Sequence, residues 1–205
     1  MMIKAVIFDL GYVIIHDIAN ERIFQDIADA CDLKSVDTTI SLLLPLYQRG
    51  ELSDEQFWRA FKERTGIAKL PAEYRKLWSR RYINETHIDH EVMQLILTLR
   101  ANDYKTGCLS NTIPPHVEAN RERGLFKPFD FCVFSYEIRS RKPEPKIFHT
   151  AIQAAGCKPN EIVYIDDIEE YVHAARELGM HGIKYNVTKQ PVEHLRRELN
   201  KLNVL

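Results

Sequence analysis

The chain has 205 residues, of which 45% are hydrophobic and 28% are charged, and its formal net charge is −1. These values are typical of a globular protein with one medium domain, or with a core and a small accessory domain. The sequence lacks the basic stripe that is typical of nucleic-acid-binding proteins. It also lacks a run of the roughly 20 apolar residues that a membrane-spanning helix needs. We therefore expect a monomer or weak dimer that binds neither nucleic acid nor membrane.

Cysteine usage and the N-terminus indicate the compartment. The four cysteines are widely spaced and form neither a Cys-x-x-Cys pair nor a Cys/His cluster, so we expect reduced thiols and no zinc site. The first apolar run is short and is interrupted by Asp9, which does not match a signal peptide. We expect a cytoplasmic protein.

Five short apolar runs, separated mostly by helical patterns, predict the strands of one sheet. They comprise residues 4–9, 104–109, 131–134, 161–166 and 182–186. Runs that are apolar almost throughout are typical of parallel strands buried on both faces. Apolar residues at helical spacing begin near Ile88, Ile147, Val172 and Val192, and Gly156 and Gly179 are expected to end two of these helices. The alternation predicts a doubly wound α/β fold.

Residues 16–87 interrupt this alternation, since they contain no convincing strand. One amphipathic helix is predicted around Ile23–Cys31, and another follows Ser53, whose hydroxyl can cap the helix while Gln56 bonds back. That helix is expected to end at Gly66, and a third follows Pro71. Some seventy residues are too many for an ordinary connection. We interpret 16–87 as an inserted small helical cap domain and residues 1–15 and 88–205 as the core.

Polar residues follow four successive predicted strands. Asp9 ends the first strand, Ser110 and Asn111 end the second, Lys142 follows the third, and Asp166 and Asp167 end the fourth. Each has an ordinary explanation, because aspartate and serine are common in turns and lysine is usually solvated. However, ligands of open parallel sheets bind where the carboxyl ends of the strands meet, and these residues would share that crevice.

The residue types in this crevice predict that it binds a divalent cation and a phosphate group. Three carboxylates repel one another unless a cation is present, and hard oxygen ligands suit Mg²⁺. Lys142 and Ser110 would then bind an anionic substrate, most simply a phosphate.

The four segments FDLGYVI, CLSNT, RKPEPKIF and YIDD, in this order, resemble the motifs of the haloacid dehalogenase (HAD) superfamily. The spacing is similar to that of members with a small helical cap after the first motif. Within the superfamily, the chain looks most like the sugar-phosphate phosphatases related to the N-terminal phosphatase domain of soluble epoxide hydrolase. The resemblance implies a HAD-like fold and hydrolysis of a small phosphorylated metabolite.

The resemblance also implies roles for individual residues. Asp9 would attack phosphorus and form an aspartyl-phosphate. Mg²⁺ would be held by Asp9, Asp167 and the backbone carbonyl of Gly11, with Asp166 in the outer shell or as an alternative ligand.

The same pattern implies the groups that hold the substrate. The phosphoryl oxygens would be bound by Ser110 and Lys142, and the backbone around Leu10 and Asn111 would add amide donors. Tyr12 would either line the substrate pocket or pack between cap and core. In the cap, Tyr47, Arg49 and Trp58 are conceivable contacts, although the helical spacing of Trp58 with other aromatics favours a place in the cap core.

Gly11 stands where most members of the family carry the carboxylic acid that protonates the leaving group. General acid–base catalysis is worth roughly 10²–10⁴ in rate. His16 and Asp17 are candidates to replace this acid, but each is more simply explained as a linker residue. Otherwise the substrate needs a leaving group that departs without full protonation, and a sugar 1-phosphate has one. Glycine would also permit an unusual φ at this position.

Three other functions compete with a phosphatase. A catalytically impaired HAD-fold protein would bind phosphometabolites without turnover, although it would not need the nucleophile Asp9. A haloacid dehalogenase would have little use for Asp166 and Asp167. A phosphotransferase would need the acid–base group that Gly11 lacks.

Overall fold

The computed structural model describes residues 2–16, 28–29, 36–67 and 71–205. The central sheet is parallel, and its strands are β1 (Ala5–Phe8), β4 (Lys105–Ser110), β5 (Phe131–Phe134), β6 (Ile162–Asp166) and β7 (His181–Lys184). They lie in the order β5-β4-β1-β6-β7. All five predicted strands are present, with ends shifted by up to two residues. Phe8 pairs with both Cys108 and Ile165, so β1 lies at the centre of the sheet.

Helices cover both faces of this sheet, which confirms the predicted doubly wound α/β fold. The core helices are α4 (His90–Ala101), α5 (Pro114–Glu122), α6 (Ser135–Ile138), α7 (Pro145–Ala155), α8 (Glu169–Glu177) and α9 (Val192–Lys201). Val6 and Phe8 of β1 pack in one cluster with α4 and α9. Ala5 and Ile7, which point to the opposite face, pack in another with α7 and α8. Alternation along a fully buried strand therefore supplies both layers of the core.

Between β1 and α4, the described residues 36–67 and 71–85 form three helices: α1 (Asp37–Gln48), α2 (Asp54–Thr65) and α3 (Pro71–Glu85). We call them the cap helices, and the exact division into core and cap stays a prediction. α2 has the expected capping box, in which Ser53 Oγ accepts from the amide of Gln56 and the side chain of Gln56 accepts from the amide of Ser53. It ends at Gly66, whose φ is +69°. α3 begins at Pro71 as predicted.

The structure corrects the sequence interpretation of this region in two places and leaves one predicted helix largely untested. Two short strands, β2 (Ile15–His16) and β3 (His87–Ile88), pair antiparallel where no strand was expected, and Ile88 belongs to β3 rather than to the following helix. Helix α1 was missed because its sequence contains β-branched residues and an internal Pro45. Most of the predicted Ile23–Cys31 helix lies outside the described residues. Ala28, which is described, is helical and buried.

The cap helices pack on the core through an aromatic cluster. Phe57, Trp58 and Trp78 of the cap helices are buried together with Ile113 and Ala119 of the core. Ile113 directly precedes α5, and Ala119 lies within it. This contact places the cap helices above the carboxyl end of β4. In the described part of the chain, no helix is both long enough and apolar enough to span a bilayer.

Candidate active site

The predicted strand-end residues meet because their strands are neighbours. β4, β1 and β6 are adjacent, so Ser110, Asp9 and Asp166 come to one edge of the sheet. Lys142 reaches the same edge from the loop between α6 and α7. A cleft of about 280 Å³ opens here, and its lining includes Asp9, Ser110, Lys142 and Asp167. The sheet topology thus produces the crevice that the sequence predicted.

Lys142 connects two of the carboxylates. Its Nζ lies 2.7 Å from Asp9 Oδ1 and 2.7 Å from Asp166 Oδ2, and it donates to the carbonyl oxygen of Leu109 at 3.2 Å. The side chain is only 1% exposed. Burial by itself lowers the pKa of Lys142, but Asp166 and Asp9 outweigh that effect and raise it, so the ammonium keeps its charge.

Asp9 lies at the base of the cleft, directly after β1. Its amide donates to the carbonyl of Ile165 at 2.9 Å, which ties the residue to β6. Burial raises the pKa of the Asp9 carboxyl to about 7; the ammonium of Lys142 opposes this shift and the charge of Asp166 reinforces it. The Lys142 contact is therefore what favours the carboxylate form of a buried aspartate.

The two consecutive aspartates have different environments. Asp166 is fully buried and accepts hydrogen bonds from Tyr164 Oη, from Lys142 and, at 2.9 Å, from the amide of Ile168. Asp167 is half-buried and lines the cleft, with Asn186 Nδ2 at 3.4 Å. Burial and the neighbouring Asp166 raise the pKa of Asp167. Asp166 is thus satisfied by the protein, whereas Asp167 presents its carboxylate to the cleft.

Oxygen atoms of Asp9, Asp166 and Asp167 all lie within 4.8 Å of one another. The ammonium of Lys142 contacts two of these three acidic groups, Asp9 and Asp166. A small, hard divalent cation fits this donor set, because it prefers carboxylate oxygens and would relieve their repulsion.

Asn111 holds the loop that carries Lys142, and Thr112 connects the segment after β4 to α6. The Asn111 side chain donates from Nδ2 to the carbonyl of Lys142 at 3.0 Å and accepts from the amide of Lys142 at 2.8 Å. The Thr112 amide donates to Ser135 Oγ at 3.0 Å. Asn111, predicted only through its backbone, thus also positions Lys142 through its side chain.

The segment after Asp9 forms one wall of the cleft, which Leu10, Gly11 and Tyr12 line. The unusual φ expected at Gly11 lies one residue later, at Tyr12, where φ is +54°. His16 does not line the cleft and instead contacts Asp89 at 2.7 Å, beside the β2–β3 pair. Asp17 lies outside the described residues. His16 is therefore not placed to replace an acid at position 11.

The cap contributes residues other than the three named from sequence. Tyr47 and Trp58 are buried in the aromatic cluster between the cap helices and the core. Arg49 does not line the cleft; its Nε and Nη2 atoms donate to Glu144 Oε1 at 2.8 and 2.6 Å. Gln48 and Tyr82 line it from the cap helices, and His116 and Tyr171 from the core. Nothing in the local sequence marks these four, although His116 falls in the first turn of the helix after the CLSNT motif.

Comparisons with known proteins show which family and which proteins this chain is similar to. A family model described as haloacid dehalogenase-like hydrolase matches residues 3–179. The D-ribitol-5-phosphate phosphatase of Bacteroides thetaiotaomicron is 28% identical over 195 residues, which are 87% of this chain and 89% of that protein. Bifunctional epoxide hydrolase 2 of Sus scrofa is 27% identical over 123 residues, 56% of this chain but only 22% of the pig protein. A solved HAD family enzyme from Bacteroides thetaiotaomicron, in complex with magnesium and inorganic phosphate, is 25% identical, with a TM-score of 0.75 and coverage of 89% of this chain and 93% of that one.

Proposed function

Because the chain belongs to the haloacid dehalogenase-like hydrolase family, we propose that it is a magnesium-dependent phosphatase that hydrolyses a small phosphorylated sugar or polyol. The observation that carries the proposal is the pairing of buried Asp9 with Lys142 at 2.7 Å, in a cleft that Asp167 also lines. A nucleophile, a fixed cation and further carboxylates are what phosphoryl transfer through an enzyme carboxylate requires. The similarity to a phosphatase over most of both chains supports the same reaction.

Asp9 is the nucleophile in this proposal. Its carboxylate oxygen bonds to phosphorus while the bond from phosphorus to the leaving oxygen breaks, and that oxygen takes the electron pair. A water molecule then cleaves the aspartyl-phosphate, which returns Asp9 as a carboxylate and releases inorganic phosphate. Lys142 favours the reactive form of Asp9 through their ion pair.

Ser110 and Lys142 hold the phosphoryl group. Ser110 lines the cleft at the end of β4, on the strand adjacent to that of Asp9. The amides of Leu10 and Asn111 are the proposed backbone donors. Such donors stabilise negative charge as it develops on the phosphoryl oxygens.

Mg²⁺ would be held by the carboxylates of Asp9 and Asp167 and by the carbonyl of Gly11. When bound, it would supply positive charge that offsets the charge of the phosphoryl oxygens. Asp166 is assigned to the outer shell, because its oxygens already accept from Lys142, Tyr164 and the amide of Ile168. The magnesium in the similar solved structure supports this choice of ion.

Gly11 determines which leaving groups the enzyme releases. Apart from Asp9 and Asp167, no carboxyl group lines the cleft in the part of the chain that the structure describes. We therefore propose a preference for leaving groups that need little protonation, such as the anomeric oxygen of a sugar 1-phosphate.

A phosphatase screen with Mg²⁺ on the wild type and on Asp9→Asn tests the proposed reaction. Loss of the nucleophile is expected to lower kcat/KM by more than about 10³-fold. Asp103→Asn, at an exposed position, makes the same chemical change as a control and is expected to keep full activity. Activity that survives Asp9→Asn would overturn the assignment.

The same screen separates the competing functions. Binding of phosphometabolites without any turnover by the wild type would favour a binding protein, and release of halide from a 2-haloacid without phosphatase activity would favour a dehalogenase.

A panel of esters tests the leaving-group preference. Glucose 1-phosphate is expected to react faster than glucose 6-phosphate. It is also expected to react faster than ribitol 5-phosphate, which is an ester of a primary alcohol. This second comparison is the stricter test, because a similar protein is named as a D-ribitol-5-phosphate phosphatase. Equal or faster reaction of the two primary-alcohol esters would contradict the preference. Gly11→Asp is expected to raise activity on them if a missing acid limits the rate, and to abolish activity if the glycine is needed for space.

A further inference from the structure

The imidazole of His116 lies in the cleft at the contact between core and cap. It belongs to α5 of the core, and its ring stacks on that of Tyr82 in cap helix α3, with centroids 3.8 Å apart and planes at 13°. Both residues line the cleft. His116 therefore lies where core and cap meet in the cleft, on α5 rather than on the segments that carry Ser110 and Asp9.

A second cap residue determines the tautomer of His116. Trp78 Nε1 donates to His116 Nε2 across 2.7 Å. An indole N–H can only donate, so Nε2 must carry a lone pair and the ring proton must be on Nδ1. The cap helix thus selects the Nδ1–H form of an imidazole that the core supplies.

The ring is also neutral. Burial, together with the charge of Arg123, lowers the pKa of His116 to about 3. A neutral imidazole with a fixed tautomer is a hydrogen-bond donor at Nδ1 across the physiological range of pH, but it is not a general acid and offers no charge to a second anionic group.

Nδ1 is available to a ligand. Among the residues that the structure describes, none forms a hydrogen bond with His116 Nδ1. This nitrogen is also not fully buried, so it is open to the cleft. A donor left open in a cleft of this size can bond an oxygen of the bound molecule.

We propose that His116 determines substrate specificity by donating a hydrogen bond from Nδ1 to a hydroxyl of a sugar or polyol phosphate, in the tautomer that Trp78 selects. The inference rests on the proposed phosphatase function and identifies which part of the substrate this residue contacts. A hydroxyl is favoured over a second phosphate or carboxylate because the donor is uncharged. It is favoured over the reacting phosphate because His116 lies at the cap side of the cleft.

Competitive inhibition of p-nitrophenyl phosphate hydrolysis tests the proposal without requiring turnover of the inhibitor. The probes are ribitol 5-phosphate, ribose 5-phosphate, glucose 1-phosphate and n-pentyl phosphate, which has no free hydroxyl on its carbon chain. In the wild type, at least one hydroxylated phosphate is expected to bind more tightly than pentyl phosphate. In His116→Phe, which keeps a ring for stacking on Tyr82, this preference is expected to fall about tenfold, the effect of one hydrogen bond.

Two further variants separate hydrogen bonding from a structural effect. His116→Asn carries an amide N–H near the position of Nδ1 and is expected to recover part of the preference lost in His116→Phe. His173→Phe changes an exposed histidine on α8 and is expected to leave the preference unchanged. A wild type that binds no hydroxylated phosphate better than pentyl phosphate, or a His116→Phe variant that keeps the preference, would overturn the proposal.

The tautomer of His116 can also be measured directly in the wild-type protein. ¹⁵N spectra of protein labelled at histidine are expected to show one imidazole protonated at Nδ1 and not at Nε2, and this signal should be missing in His116→Phe. Protonation of His116 at Nε2 would overturn the proposal even if the variants fail to fold. Asp9-dependent hydrolysis of p-nitrophenyl phosphate would still support the phosphatase function in that case, so the two failures are distinguishable.

Discussion

At the scale of single residues, the ammonium of Lys142 is the group that makes the arrangement of carboxylates possible. Two acidic side chains, Asp9 and Asp166, are almost completely buried, and both contact the same Nζ atom at 2.7 Å. Buried charges are costly unless they are paired, and removal of one partner leaves the others uncompensated. Lys142 therefore contributes to stability as well as to the proposed chemistry.

Lys142→Met is expected to lower the free energy of unfolding by about 3 kcal/mol or more, because it leaves two buried carboxylates without their cation. Urea denaturation in the absence of divalent cations measures this change. Adding Asp166→Asn in the same chain removes one of the uncompensated charges and is expected to recover part of the loss. A loss below about 1 kcal/mol for the single variant would contradict this account of the ion pairs.

At the scale of elements, the turn after α1 contacts the core through Gly50. Its φ is +63°, and a Cβ atom at this position would lie 2.2 Å from the carbonyl oxygen of Tyr136 in α6. The adjacent Arg49 bonds Glu144, which also accepts from Ser140 Oγ at 2.9 Å in the loop that carries Lys142. Glycine at position 50 thus permits the cap helices to approach α6, which precedes the loop that carries Lys142.

Gly50→Ala and Gly66→Ala separate two effects of the added methyl group. Both glycines have a positive φ, but a Cβ at Gly66 would have nothing within 4 Å. Gly66→Ala is expected to cost about 1 kcal/mol from backbone strain alone, and Gly50→Ala more, because the backbone of α6 must also shift. Equal losses of unfolding free energy in urea would show that the close contact with Tyr136 does not affect stability.

The elements also show where prediction from sequence succeeds. Helix α2 was predicted at both ends because Ser53 and Gly66 are local signals whose effect depends only on neighbouring backbone groups. Helix α1 and the β2–β3 pair were missed because no local signal favours them. α1 contains Pro45, and β2 and β3 are two residues each, so that their pairing depends on segments some seventy residues apart.

At the scale of the whole molecule, the contact between cap and core couples stability to pH through His116. The ring contacts Trp78 and Tyr82 of the cap helices. The positive charge of Arg123 helps to lower the pKa of His116. The folded state lowers the pKa of His116 to about 3, whereas an unfolded chain has the ordinary value of about 6.5. Between these values the unfolded state binds the extra proton, so stability is lost as the pH falls.

One such proton contributes a slope of up to about 1.4 kcal/mol per pH unit. The unfolding free energy of the wild type, measured in urea between pH 6.5 and 4.5, is expected to fall more steeply than that of His116→Phe by up to this amount. His173→Phe is the matched control, because it makes the same substitution at an exposed position. Parallel curves for the wild type and His116→Phe would contradict a neutral His116 in the folded protein.

The sequence by itself determined the sheet, the chain positions of Asp9, Ser110, Lys142 and Asp167, and hence the edge at which a site forms. These features follow from local patterns and from the rule that parallel strands bring their carboxyl ends together. Only the tertiary structure decided that Lys142 contacts both Asp9 and Asp166, that His16 lies outside the cleft, and that Trp78 orients His116 across 38 residues of sequence. Such contacts depend on how side chains from distant segments pack, and no local pattern of residues encodes that packing.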